Sequence, residues 1–176
     1  MDIGLILMGL AKLAFALLIA ACGAYVCARQ VKRMAGFADL DSALTEGNVA
    51  VGISFAGTIL AMGLLTQFAL QNSFTVLALL SYGGGDWLDM AWVLAYAIGM
   101  VGVSLLVGAL VISAGIALSV RLTPNIDEIA EIRRGNVACA LVLATTVVVM
   151  AFLAREGLDT LLTGGMPLPP LGRDIS

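Results

Sequence analysis

The stretch Gly47-Asn48-Val49-Ala50 recurs 88 positions later as Gly135-Asn136-Val137-Ala138. Each copy follows a stretch that contains charged residues, and each opens a long apolar run. Internal similarity of this kind is a common mark of duplicated units in membrane proteins. The pattern therefore predicts a chain built from two tandem copies of one hydrophobic unit.

The composition predicts that the surrounding solvent is a lipid bilayer. Of the 176 residues, 61% are hydrophobic and 12% are charged, whereas a soluble domain carries roughly 45–50% apolar and about 25% charged residues. A spanning helix needs about 20 mostly apolar residues. Four runs qualify, at residues 3–28, 49–70, 90–120 and 137–154. We expect an all-α integral membrane protein whose four transmembrane helices form two tandem helical hairpins.

The expected organisation follows these runs. Repeat 1 covers residues 1–80, a glycine-rich outer loop covers 81–88, repeat 2 covers 89–155, and an extracytoplasmic tail covers 156–176. The fourth run is the shortest, so its helix must use residues before Gly135 or beyond Arg155. The apolar piece at residues 74–80 is too short to span alone, and it either extends the second helix or lies at the interface.

Basic residues predict the orientation, because cytoplasmic loops are enriched in Lys and Arg. The first and third connections carry them, and residues 71–89 between the second and third runs carry none. The six residues are Arg29, Lys32, Arg33, Arg121, Arg133 and Arg134. Both termini are then extracytoplasmic, and the repeats run parallel. A weaker alternative treats residues 18–22 as the end of a lipoprotein signal peptide, although no basic cluster precedes them.

The repeated Gly-Asn pair has two interpretations. Glycine permits a bend or a close approach of two backbones, and asparagine can hydrogen-bond to another helix. The motif either packs the two repeats together or lines a cytoplasmic vestibule. Its candidate residues are Gly47, Asn48, Ala50, Gly135, Asn136 and Ala138.

The segment before the second copy predicts an amphipathic turn. Thr123 and Pro124 are typical of a helix start, and Ile126, Ile129 and Ile132 recur every third residue. This stripe is a possible docking face for a cytoplasmic or membrane protein partner.

Three charges are candidates for function. Lys12 lies about nine residues into the first run, ~14 Å along a helix, and therefore near the middle of the membrane. An intramembrane charge is a functional candidate, although lysine can also reach the interface through its flexible stem. Glu46 and Glu131 would stand at the cytoplasmic mouth of any pore.

Other features exclude classes of function. The chain has no histidine, its three cysteines lack redox or zinc spacing, and its glycines match no phosphate-binding motif. We therefore expect no enzyme, metal or cofactor, and the net charge of −3 gives no support for nucleic-acid binding. Small residues spaced four apart in the spans predict close helix contacts and a homo-oligomer.

The residues NIDEIAEIRRGNVA at 125–138 resemble the YjfL-like family of bacterial membrane proteins, a domain of unknown function. The resemblance covers about residues 8–155, although the first copy lacks the basic pair before Gly47. It implies a four-span protein of the bacterial cytoplasmic (inner) membrane, with a loose link to envelope or membrane stress and no assigned site residues. We expect an oligomeric structural or partner-docking component, with a small ion or solute conduit at subunit interfaces as the alternative.

Overall fold

The computed structural model describes residues 3–34, 40–83 and 87–164, and within these ranges every regular element is helical. The helices are α1 (Ile3–Met34), α2 (Leu40–Thr45), α3 (Val49–Gly83), α4 (Trp87–Leu122), α5 (Glu128–Arg133) and α6 (Val137–Gly164). Four of them are long and apolar enough to cross a membrane, which confirms the predicted class. The candidate spans are Lys12–Arg33, Val49–Thr75, Ala95–Leu122 and Val137–Gly164.

The long helices extend beyond the boundaries predicted for the repeats. Residues 74–80 continue α3 to Gly83, so this apolar piece extends the second helix. Helix α6 continues past Arg155 to Gly164 because Leu158 and Leu162 prolong its buried stripe. The loop between α3 and α4 is therefore shorter than predicted. Residues 84–86 of that loop and residues 165–176 of the tail lie outside the described residues.

The core lies where α3, α4 and α6 meet. Helix α3 packs most extensively against α6, and half of its spanning window is buried. A Cβ atom built on Gly57 of α3 would lie 2.6 Å from the Cβ atom of Ala144 in α6. Glycine is needed at this crossing because the two backbones are so close. The parallel arrangement of the two repeats stays a prediction.

Helix α1 lies at the periphery and contacts α3 and α4. The Cys27 thiol lies 3.4 Å from the carbonyl oxygen of Thr58 in α3. The side-chain amide of Gln30 donates to the carbonyl oxygen of Ala109 in α4 at 3.0 Å. These polar contacts fix the end of α1 that leads into α2.

Candidate functional site

The two Gly-Asn turns lie together at one end of the helical bundle. The Asn48 amide nitrogen donates to the carbonyl oxygens of Ile132, at 3.4 Å, and of Arg133, at 2.9 Å. These carbonyls close α5, whereas Asn48 precedes α3. We call this end, formed by residues 40–48 and 126–136, the platform.

Both turns have the same backbone conformation. Gly47 has a φ of +76° and Gly135 a φ of +90°. Each glycine N–H donates to the carbonyl three residues earlier, at 3.1 Å and 3.0 Å. The N–H groups of Asn48 and Asn136 donate to carbonyls five residues earlier, both at 2.9 Å. This is the Schellman arrangement that ends a helix at a left-handed residue.

The glycines serve the bend rather than a close approach. A Cβ atom built on Gly47 or on Gly135 would meet nothing within 4 Å. The left-handed conformation, which other residues adopt only at a cost, therefore explains why glycine stands at both positions. Close backbone approach occurs inside the spans, at Gly57 and Gly115.

The asparagines begin the next helix. The Asn48 side-chain oxygen accepts from the N–H of Val51 at 3.2 Å. The Asn136 side-chain oxygen accepts from the N–H of Ala138 at 3.1 Å. Such bonds satisfy N–H groups that a helix start leaves without partners. The Gly-Asn pair thus ends one short helix and begins one span within two residues.

The two copies differ in what their asparagines reach. Asn48 crosses to α5 as described, whereas the Asn136 amide nitrogen donates within its own repeat to a carboxylate oxygen of Glu131 at 3.1 Å. Ala50 is buried and Ala138 is exposed. The described bonds of this motif therefore join the repeats through Asn48, and its roles in packing or in a vestibule stay predictions.

Charges on the platform form short-range pairs. Glu131 accepts from the Arg134 guanidinium at 2.9 Å, and Lys32 pairs with Asp41 at 2.9 Å. The hydrogen bond from Asn136, and next the bond from Arg134, lower the pKa of the Glu131 carboxyl. Glu46 is exposed at the end of α2.

We expect Glu131 to contribute stability that acid removes. A carboxyl whose folded-state pKa is lowered stabilises the protein above its unfolded pKa, about 4.3, and loses this contribution as the pH falls through the folded value. Between about pH 6 and pH 3, the free energy of unfolding should fall less for Glu131→Gln than for the unaltered chain. The two curves should converge at the acid end, and parallel curves would contradict the expectation.

The predicted docking stripe is only partly exposed. Ile126 is 48% exposed and Ile132 is 1% exposed, and Ile129 is half-buried. Helix α5 packs against α3 and α6, so its apolar side turns toward the bundle. The expectation that all three isoleucines form an exposed face is therefore wrong for Ile132.

The start of α5 also differs from the predicted one. Asp127 caps the helix, because its side chain accepts from the N–H of Ala130. Thr123, which the sequence favoured as the cap, instead bonds to the Glu128 carboxylate. Glu128 is buried, which sequence reasoning missed, although the aligned residue of the first copy (128 − 88 = 40) is the apolar Leu40.

Lys12 lies in the first half of α1 (Ile3–Met34), and its depth in the membrane stays a prediction. It precedes Lys32 by 20 residues (32 − 12), which is ~30 Å along a helix and about the thickness of the hydrocarbon core. Its ammonium lies 5.4 Å from the ring centroid of Phe74 in α3.

Four apolar helices long enough to span a bilayer, with short capped helices at one end, define a multi-pass helical membrane protein. Among the described residues, no group of three or more acidic, cysteine or histidine side chains is placed to hold a metal ion.

The family model described as Domain of Unknown Function (DUF350) matches residues 1–158. The chain therefore belongs to the DUF350 family. This is the domain of unknown function that the YjfL-like resemblance predicted, so the resemblance is confirmed. A search of curated proteins and a search of solved structures found no match to the chain.

Proposed function

We propose that this protein is an oligomeric structural component of the bacterial cytoplasmic membrane that holds a protein partner on its platform. It binds rather than catalyses, it uses no cofactor, and nucleic acid is not its ligand. The observation that carries the proposal is the construction of the platform, where capping bonds fix two short helices against the ends of the spans.

The platform is suited to present a surface of constant shape. Asn48 bonds α5 to the start of α3, and Lys32 pairs with Asp41 of α2. Exposed apolar side chains stand among these charges, with Leu44 40% and Ile126 48% exposed. We infer that these side chains form the apolar centre of an interface with a polar rim, which is the usual anatomy of a protein–protein interface.

The spans offer little support for conduction through one chain. Five buried hydroxyl groups each donate to a backbone carbonyl oxygen at 2.7–3.0 Å. These donors therefore already have acceptors within the protein. They belong to Ser54, Thr58, Thr66, Ser73 and Ser104. A hydrated path would need polar groups that remain available to water or ions.

The lipid-facing surface supports a homo-oligomer. A groove of about 280 Å³ between α1 and α3 is lined by small residues, by larger apolar residues such as Met62, and by Gln67. The side chain of Gln67 is exposed within the span Val49–Thr75. An amide facing hydrocarbon is costly, whereas a hydrogen bond to a second helix removes that cost. We infer that copies of the chain meet at such faces.

The charge distribution supports a cytoplasmic platform. The basic residues of the first and third connections stand at or beside the platform, including Lys32 and Arg33 in the last turn of α1 and Arg121 in the last turn of α4. The positive-inside rule then directs the platform to the cytoplasm and both termini outside. We also propose that the protein resides in the bacterial inner membrane and acts in the response to envelope or membrane stress.

The platform can be tested by crosslinking in cells. A photoreactive residue at Ile126 is expected to yield a defined adduct with a partner protein, whereas one at Leu153, 70% exposed on α6, should yield lipid or a second copy of the chain. Ile126→Asp should remove the partner without unfolding the chain, because this side chain contributes little to the core. Ile132→Asp is the contrasting variant and should fail to fold.

The mass of the assembly in native lipid particles completes this test. A ring of identical chains without a second protein, and no adduct at Ile126, would contradict docking. A defined stoichiometric partner would support it.

The alternative is a small ion or solute conduit at subunit interfaces. The observation that favours it is the exposure of Gln67 and Thr145 on spanning helices, because two copies could bring such groups together. Lys12 would then act near the outer mouth and Glu46 and Glu131 near the platform. Loss of flux on Lys12→Met in an intact assembly would support the conduit, and unchanged flux would remove Lys12 from it.

A further inference from the structure

Glu128 is a buried carboxylate at the junction of α4 and α5. Its residue is 2% exposed, and one carboxylate oxygen, Oε2, has no hydrogen-bond partner. The other oxygen bonds to the Thr123 hydroxyl. Within the described residues, no lysine or arginine forms an ion pair with it. A buried negative charge with one unpartnered oxygen is costly unless a positive charge neutralises it.

A second unpartnered group lies one helical turn before Thr123. Ser119 is 0% exposed, and its hydroxyl oxygen also lacks a partner. Ser119 and Thr123 are four residues apart at the end of α4, and the Thr123 hydroxyl lies 3.4 Å from the carbonyl oxygen of Ser119. The Ser119 side chain therefore lies one helical turn before the bonded pair of Thr123 and Glu128.

The first copy of the repeat shows that these polar residues are not required for folding such a junction. With the 88-residue offset, Glu128 aligns with Leu40 and Ser119 aligns with Val31. Leu40 is 2% exposed and Val31 is 3% exposed, so both copies bury the same two positions. One copy fills them with hydrocarbon and the other with oxygen groups, which points to a task beyond packing.

We propose that Glu128, Ser119 and Thr123 bind one monovalent cation, with Na⁺ as the ion that fits best. Carboxylate and hydroxyl oxygens are hard ligands, and both hydroxyls keep lone pairs that can face an ion. A single positive charge neutralises a single buried carboxylate, whereas a divalent ion would leave a net charge in a buried place. The tight burial of Glu128 and Ser119 favours a small ion.

Neither Oε2 of Glu128 nor the Ser119 hydroxyl oxygen has a hydrogen-bond partner among the described residues. A cation can contact several oxygens that do not contact one another.

Thermal unfolding of the full chain in lipid nanodiscs tests the site with Na⁺ alone. N-methylglucamine should replace Na⁺ at constant ionic strength and constant pH. The unfolding midpoint is expected to rise with the logarithm of the Na⁺ concentration, as for any ligand bound by the folded state. Glu128→Gln should abolish this rise, because losing a direct ligand costs more than the ~10–100-fold seen for outer-shell residues. Glu131→Gln, on the same short helix, should keep the rise.

A second variant guards against a simple folding defect. The double substitution Ser119→Val with Glu128→Leu installs the residues that the first copy carries at these positions, so it should fold and show no Na⁺ response. Three outcomes would overturn the proposal: no response to Na⁺ in the unaltered chain, an equal response in Glu128→Gln, or an equal response in the double variant. Stabilisation by acid alone, with none by Na⁺, would assign the site to a proton and would also overturn it.

Discussion

Replacing Gly57 with alanine is expected to force α3 and α6 apart and to destabilise the folded protein by about 2 kcal/mol, within the ~1–3 kcal/mol typical of overpacking. The added methyl group would lie 2.6 Å from the Cβ atom and 2.9 Å from the Cα atom of Ala144. Neither atom can move by side-chain rotation, so one helix must shift. The shift affects the most extensive helix pair of the bundle.

Two further variants give this expectation a sharp control. Gly63→Ala lies on the same helix, where an added Cβ atom would meet nothing within 4 Å, and it should change stability little. Ala144→Gly removes one of the clashing atoms and should partly rescue Gly57→Ala in a double-mutant cycle. The stability of all five proteins, including the double variant, is measured by unfolding in a graded series of denaturing detergent. Equal stability of Gly57→Ala and the unaltered chain would show that the two helices are not so close.

Replacing Asn48 with alanine is expected to cost about 2–3 kcal/mol, more than the same change at Asn136. Loss of a helix N-cap costs ~1 kcal/mol, and Asn48 also donates to the carbonyl oxygens of Ile132 and Arg133. Each bond of that kind contributes about 0.5–1.5 kcal/mol. Asn136 caps its helix as well, but its amide bonds to Glu131 within its own repeat and, among the described residues, joins no other segment, so Asn136→Ala should cost about 1 kcal/mol.

Asn48→Asp separates the cap from the bond between the repeats. The aspartate keeps an oxygen for the N–H of Val51, but it places a second oxygen against the carbonyls of α5. We therefore expect loss of the α5 contact with the cap retained, visible as faster amide hydrogen exchange in residues 128–133 and unchanged exchange at the start of α3. Equal exchange in both segments would contradict the assigned bond.

The sequence predicted the membrane class and the family because both depend on features that every span shares. A long apolar run requires a bilayer whichever helices it packs against. The Gly-Asn pair specifies a backbone turn through its own local hydrogen bonds. Gly47 and Gly135 could therefore be located from the chain alone.

Other features depended on contacts that no single segment contains. Ile132 belongs to an amphipathic stripe whatever its surroundings, and its burial follows only from the packing of α5 on α3 and α6. The contact of Lys12 with Phe74 depends on how α1 is placed against α3. The partners of Asn48 and Asn136 differ although the residues match, because each amide bonds to whichever acceptor the neighbouring segment presents. The burial of Glu128 accompanies its bond to Thr123, a contact that its own helix does not specify.

The extensive contact between α3 and α6 also has a consequence for how this chain is made. Membrane helices leave the ribosome in chain order, so α3 enters the bilayer before the helix that covers its main face has been synthesised. Until α6 arrives, the backbone around Gly57 faces lipid or a temporary neighbour. The first two long helices therefore cannot complete a stable unit by themselves, and assembly of the bundle must wait for the fourth.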